Sequence, residues 1–413
     1  MNSSSSSRWR HVAVAALLVA GIATGDASFA QETVRPEVGK PLQAAQEMIK
    51  AGRYREALGK VREAEAAGAR NANETYLIER MRLAAASGAG DAETAAHSFE
   101  ALSGSGRIQP ADKLRMMESI AGSYYRAQQY QKSMQWSQRY LREGGTSPAI
   151  RTMLIQSQYL SGDFAGATRE LLAEIQASER AGTTPGEDRL KLLLNAASKQ
   201  GDNNAYVYAM ERLVTYYPKK EYWVDLLSRM QRKTGFSDRL SLDAYRLSLA
   251  TGSMTAAADY MEMAQLALQA DLASEGKQVI DKGIASGALA TGAQADRAKR
   301  LKALVDKKLA EDATSRAEDE KQAMAAKTGD SLVSLGMYLI YTGQASKGVQ
   351  LMQQGIAKGG LKRPEDAKLH LGIAQLVAGD KAKAQATFKT VQGTDGTADL
   401  ARLWALYARR GAA

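Results

Sequence analysis

Between Leu371 and Phe388 the chain reads LGIAQLVAGDKAKAQATF, with small and large residues at set intervals. Leu371 and Gly372 are followed by Gly379, then Ala384, then Phe388. The apolar positions predict one helix that ends at Gly379 and a second that starts just after it. Small residues let two helix backbones approach, and the large one fills the groove beside them. The same grammar returns upstream. Turn residues at Gly52, Gly90, Gln128, Gly162, Gly201, Gly235, Ala270, Gly343 and Gly379 are spaced by 34 to 39 residues, apart from one interval of 73. Clear period-two strand patterns are absent, so the pattern predicts an all-α fold.

This grammar is similar to that of the tetratricopeptide repeat (TPR), a helix-turn-helix unit of about 34 residues. The best matches are AGRYREALGKVREA at Ala51–Ala64, SGDFAGATREL at Ser161–Leu171, and Leu335–Gly336 followed by Gly343. The units at Gly201 and Ala270 depart from it, because Tyr206 and Glu275 stand where the family has a small residue. The resemblance covers Pro41 to Gln392. It implies a right-handed α-α superhelix, a TPR-like solenoid of about nine to ten helical hairpins with a C-terminal capping helix.

The organisation follows from these marks. Residues 31–40, with Pro36 and Gly39, are expected to be a flexible leader, and Pro41 to sit in the first turn of a helix, where its missing N–H does no harm. Residues 41–291 form the N-terminal part of the solenoid, with a hinge candidate in the AGTTPG loop, Ala181–Gly186. Residues 292–329 break the rhythm: a basic stretch, Ala293–Leu309, is followed by an acidic one, Glu311–Glu320. They read as a charged helical connector or a degenerate repeat, and the doubled interval favours a degenerate pair. Residues 330–392 hold the last repeats. In residues 393–413, Leu400, Leu403, Trp404 and Tyr407 share one face of a helix suited to seal the end of the stack.

Met1–Ala30 adds a compartment. Arg8, Arg10 and His11 precede an apolar run, Val12–Thr24, and Ser28 and Ala30 place small residues before Gln31. This is the pattern of a secretory signal peptide cut between Ala30 and Gln31. A membrane span needs about 20 apolar residues, more than this run supplies, so no integral membrane segment is expected after cleavage and the expected location is the periplasm. The chain has no Cys. That excludes disulfides, thiolate metal sites, Cys nucleophiles and a lipidated N-terminal Cys.

The formal net charge is +10, and Met1–Ala30 removes only one positive charge of it. A basic exported chain favours anionic partners, and an exported setting makes nucleic acid an unsuitable one. Catalytic chemistry finds no foothold. His97 and His370, the histidines left after His11, lie in helical stretches without a metal-spaced or nucleophile motif. The Gly-rich pieces Ala101–Ile108 and Gly144–Ser147 follow no strand and are not phosphate loops. No enzyme, metal or cofactor is expected.

Binding is therefore the expected role. The resemblance implies that the first helix of each unit faces a concave surface that takes an extended peptide. Registering the units puts Tyr125, Arg126, Tyr159, Lys191, Asn195, Lys199, Tyr222, Arg229, Arg232 and Lys233 on or beside that face, with Gln156 and Asp225 among them. Lys191 and Asn195, one turn apart, resemble half of the family's carboxylate clamp, but Leu226, Ala257 and Met261 stand where its remainder would be. The expected partner is a protein or peptide. An anionic polysaccharide is the alternative, suited to the aromatic and basic stretch Tyr216–Trp223.

Overall fold

A computed structural model describes residues 33–409, so the signal-peptide reading of Met1–Ala30 lies outside the described residues. Those residues fold into twenty α-helices joined by short turns, with a 3₁₀ turn at Asp238–Leu240. They divide into two compact units.

The first unit holds residues 33–177 and 196–201. It contains α1 (Pro36–Lys50), α2 (Tyr54–Glu65), α3 (Ala72–Ala89), α4 (Ala92–Gly104), α5 (Pro110–Arg126), α6 (Tyr130–Arg142), α7 (Pro148–Ser161), most of α8 (Phe164–Arg180) and the end of α9 (Glu187–Gln200). Successive helices pack as antiparallel hairpins, with the strongest pairings inside α1–α2, α3–α4 and α5–α6. One apolar cluster joins α1 to α3 through Leu42, Ile49, Val61 and Ile78; a second runs from Leu83 and Phe99 through Met117 and Ile120 to Ile150.

The second unit holds residues 178–195 and 202–409. Besides the end of α8 and most of α9, its helices are α10 (Asn203–Tyr216), α11 (Lys220–Gln231), α12 (Ser241–Thr251), α13 (Ala257–Gln269), α14 (Ala273–Ala285), α15 (Gly292–Ala325), α16 (Asp330–Tyr341), α17 (Ala345–Lys358), α18 (Pro364–Val377), α19 (Lys381–Phe388) and α20 (Thr397–Arg409). The division between the units falls at Ala177, just before the Ala181–Gly186 loop.

Local chemistry explains the hairpins. At Gly90–Asp91, Gly162–Asp163, Gly201–Asp202 and Gly379–Asp380 a left-handed residue ends one helix and the Asp after it starts the next. The Asp carboxylates accept from the backbone N–H groups of Thr94 (3.0 Å), Gly166 (2.9 Å), Ala205 (2.9 Å) and Lys383 (3.0 Å). Each bond satisfies one of the free N–H groups at a helix start. Gln128 adopts the same left-handed conformation at φ 58° without being Gly, at a cost of roughly 1–2 kcal/mol. In the repeat marked at Ala270 the left-handed residue is Asp271, also at φ 58°, so that turn is one residue later than the repeat spacing predicts.

The small residues of the grammar sit where helices touch. Ala57 and Ala384 are fully buried. A Cβ added at Gly372 would lie 2.3 Å from the Phe388 ring, and one at Gly348 2.6 Å from the Gly336 carbonyl oxygen.

Two boundaries differ from the sequence expectation. Residues 36–40 are helical rather than a leader: α1 starts at Pro36, buries Val38, and carries Pro41 inside it. The reason is an anchor distant in sequence. Arg35 donates from its backbone N–H and from Nε to Glu74 Oε1, both at 2.9 Å, which pins the helix start to α3. Residues 292–325 form one continuous helix, α15, not a degenerate pair. Beyond Gly292 this stretch has no Gly or Pro to make a turn, and ion pairs one turn apart, Lys302–Asp306 (3.3 Å) and Lys308–Asp312 (3.3 Å), run along it. Ala298, Leu301, Val305 and Ala323 are buried along it, while Leu304 and Met324 are exposed.

α20 buries Leu400, Leu403 and Trp404, with the Trp404 ring stacked on Phe388 at 6.3 Å. It covers α18 and α19 as a capping helix should. It also reaches α10 and α12, so the second unit closes on its own first helices.

Candidate functional site

The predicted binding residues fall into separate groups. In the first unit, the Tyr125 hydroxyl donates to Gln156 Oε1 at 3.0 Å, and its ring meets Tyr130 edge-on at 5.6 Å. Arg126 is exposed and bonds the Ser123 hydroxyl at 3.0 Å. The Tyr159 ring meets Phe164 edge-on at 5.5 Å, and the Lys199 ammonium lies 5.3 Å from the centre of the Phe164 ring. Tyr159 and Lys199 thus share one aromatic contact, and Tyr125 is tied to the α7 residue Gln156.

In the second unit, Lys191 and Tyr222 are not open binding groups. Both converge on Glu187, Lys191 at 3.1 Å and the Tyr222 hydroxyl by a hydrogen bond, and Lys219 joins them at 2.6 Å. These donors hold the Glu187 carboxyl down at about 2. Burial and then Glu187 push the Tyr222 hydroxyl up to about 12. Glu187 shares its one charge between Lys219 and Lys191, so the Lys191 charge is partly offset, and Asn195 is exposed one turn along α9.

The Tyr216–Trp223 stretch is likewise occupied by its own structure. Tyr216 donates to Glu179 at 3.0 Å, Tyr217 donates to the Pro185 carbonyl at 2.9 Å, and Trp223 is fully buried.

Arg229, Arg232 and Lys233 open onto a cleft of about 1080 Å³. Its walls are α10 (Asn203, Asn204, Tyr206, Tyr208, Glu211), α11 and the turn after it (Leu226, Arg229, Arg232, Lys233, Thr234), and α20 (Asp399, Arg402, Leu403). The Arg229 guanidinium stacks 3.6 Å from the Tyr206 ring centre and reaches Asp225 at 3.3 Å. Tyr206 in turn donates to Asp225. Arg232 bonds the Ser228 carbonyl at 3.1 Å and its hydroxyl at 2.6 Å, so its charge faces outward. Lys233 pairs with Asp399 at 2.7 Å, and Arg402 pairs with Glu211. Burial pushes the Glu211 carboxyl up, with Arg402 opposing. Of the lining cations, Arg229 pairs with Asp225, Lys233 with Asp399 and Arg402 with Glu211, while Arg232 bonds Ser228, so the cleft keeps a small excess of positive charge.

Tyr206 and Glu275, the departures from the repeat pattern, have structural work. Tyr206 carries the Arg229 stack. Glu275 accepts from Arg246, which also holds Asp243, and His370 on α18 bonds Asp243 at 3.0 Å. Sequence reading missed Asp399, Arg402, Asn203, Asn204 and Tyr208. Asp399 and Arg402 are one turn apart on the polar face of α20, a signal visible in the sequence, but the Glu211 that Arg402 meets lies 191 residues away.

No family model matches the chain, and no curated protein matches it. Among solved structures it is similar to a chain of a Naa15/Naa10 complex bound to HypK-THB, at 12% identity over 86% of this chain and 63% of that one, with a TM-score of 0.36. It is also similar to a tetratricopeptide repeat protein from Parabacteroides merdae ATCC 43184, at 11% identity over 70% of this chain and 98% of that one, with a TM-score of 0.23. A third is yeast Tom70, at 11% identity over 90% of this chain and 95% of that one, with a TM-score of 0.24. The class of fold comes from the hairpins themselves: an all-α, TPR-like solenoid of tandem helical pairs. No described helix is long and apolar enough to cross a membrane.

Proposed function

We propose that this protein is a non-enzymatic scaffold that holds a protein or peptide partner through an acidic segment seated in the α10–α11–α20 cleft. The observation that carries the reading is the excess of cations lining that cleft. Its volume of about 1080 Å³ lies at the top of the roughly 300–1,000 Å³ range of small-molecule pockets and leaves room for a few residues of extended chain. Asn203 and Asn204 supply donors and acceptors to a peptide backbone. The signal-like Met1–Ala30 supports work in the periplasm, as an adaptor in envelope assembly, transport or secretion. An anionic polysaccharide meets the same charge requirement. Sugars favour open aromatic faces, however, and the Tyr216–Trp223 aromatics are engaged elsewhere, so the peptide is the better reading.

A decaglutamate peptide tests it. The peptide should bind at low salt and weaken as salt rises. Arg232→Glu should weaken it about tenfold at low salt without changing the fold, because Arg232 bonds only within its own turn. No binding at low salt, or equal binding by Arg232→Glu, overturns the proposal.

A further inference from the structure

The second unit closes along a seam whose two ends differ. On one side stand α10, α11 and α12; on the other stand α18, α20 and the loop before α20. At the α12–α18 end the seam is the more buried, with Asp243 5% and His370 24% exposed. His370 Nε2 bonds both Asp243 carboxylate oxygens at 3.0 and 3.1 Å, and Leu242 shares an apolar cluster with Ala367, Leu371 and Ala374. Beside it the Ser237 N–H donates to the Asp395 carbonyl at 2.9 Å, and Arg239 holds Asp366 at 3.2 Å and also Asp395. At the cleft end, the charged contacts are Lys233–Asp399 and Arg402–Glu211, in which the cations are 60% and 47% exposed and the carboxylates 22% and 11%. The cation side of each pair is open to water and salt, which weakens the pair.

Both pairs cross the cleft. Lys233 follows α11 and meets Asp399 on α20; Arg402 on α20 meets Glu211 on α10. The carboxylates that neutralise the cleft are therefore also its clasp. A ligand carboxylate can satisfy Lys233 or Arg402 from within the cleft without tying one wall to the other. When Arg402 leaves, Glu211, 11% exposed, keeps the longer Arg212 contact at 3.8 Å, and Asp399 is 22% exposed. Glu211 therefore depends on water entering the opened cleft to replace Arg402.

We propose that the cleft end of this seam is a gate opened by anionic ligands. An acidic segment takes Lys233 and Arg402 from Asp399 and Glu211, and the α20 wall moves away from α10 and α11. α19 travels with α20 through the Phe388–Trp404 contact, while the His370–Asp243 contact of α18 and the Ser237–Asp395 and Arg239 contacts beside it stay closed and act as the hinge. The gate rests on the reading of the cleft as the partner site, and it regulates that site: the closed form must open before the ligand binds, which lowers apparent affinity by the fraction open.

The chain has no Cys, so spin labels can be placed cleanly at Gln231→Cys and Arg409→Cys, both exposed and outside the cleft lining. The label-to-label distance is then measured with and without decaglutamate, in the parent and in Asp399→Asn/Glu211→Gln. The parent distance should lengthen on adding peptide. The double variant should be long without peptide and should bind it about tenfold more tightly. If the double variant overlays the closed parent, the gate is overturned whatever the peptide does. Peptide binding with an unchanged distance also overturns the gate but leaves the scaffold reading standing. A double variant that opens yet binds no peptide overturns both.

Discussion

Arg246 lies against Glu275 with its Nε and Nη2 donating to the two carboxylate oxygens at 2.7 and 2.6 Å, and the two side chains are only 4% and 2% exposed. Asp243 takes Nη1 at 2.6 Å. Burial alone would push the Asp243 carboxyl up; His370 and Arg246 reverse that and hold it well below the usual carboxylate range. Glu275→Ala therefore leaves a buried guanidinium with half of its partners. Breaking such a pair costs about 3–5 kcal/mol. Urea unfolding should show this loss, and a change within the scatter of surface substitutions would show that Glu275 does not hold α14 to α12.

Glu187 gives a pH dependence with a definite sign. Its carboxyl falls from the ordinary 4.5 to about 2, through hydrogen bonds from Lys219, Tyr222 and Lys191. A depressed carboxyl stabilises the folded state above its ordinary value, and that stability is lost as pH falls through the folded value. The melting-temperature advantage of the parent over Glu187→Gln should be full at neutral pH, shrink below about 4.5 and vanish near 2. An advantage that stays constant from neutral to acid pH would rule out the ionised Glu187 as its source.

The repeat contacts should be intolerant of added volume. Ala57→Leu and Ala384→Leu force a side chain into fully buried helix contacts, at a cost of about 1–3 kcal/mol. Gly372→Ala should cost a similar amount, because its Cβ would meet the Phe388 ring at 2.3 Å and the ring must shift. Leu371→Ala should cost about 2–5 kcal/mol through the cavity it leaves. Thermal melts that overlay the parent would contradict the packing.

The charges of α9 and α15 should prove peripheral to binding. Lys191 is bonded to Glu187 and lies outside the cleft lining, so Lys191→Met should leave decaglutamate affinity within about twofold at moderate salt, where exposed charges are screened. Lys299 and Arg300 are exposed on α15 and line none of the cleft. Reversal of both to Glu should leave the affinity unchanged at moderate salt. Loss of binding in the α15 variant would move the site from the cleft to that helix.

The chain's own pattern determined the hairpins. Gly–Asp turns stop one helix and cap the next through contacts only a few residues apart. The spacing of Ala57, Gly372, Ala384 and Phe388 records which faces touch, because a helix repeats its geometry at every turn. The apolar face of α20 was legible for the same reason. Tertiary structure decided the rest through pairings distant in sequence. Arg35 reaches Glu74 and extends α1 back to Pro36. Glu275, an irregularity in the repeat, becomes the partner of Arg246. Lys191, a candidate cation in the sequence, is bonded to Glu187. Arg402 and Asp399 become a cleft wall only because α20 returns to α10, 191 residues earlier along the chain. Local periodicity encodes which side of a helix is buried; which charges are matched and which face a partner depends on where the folded chain brings them together.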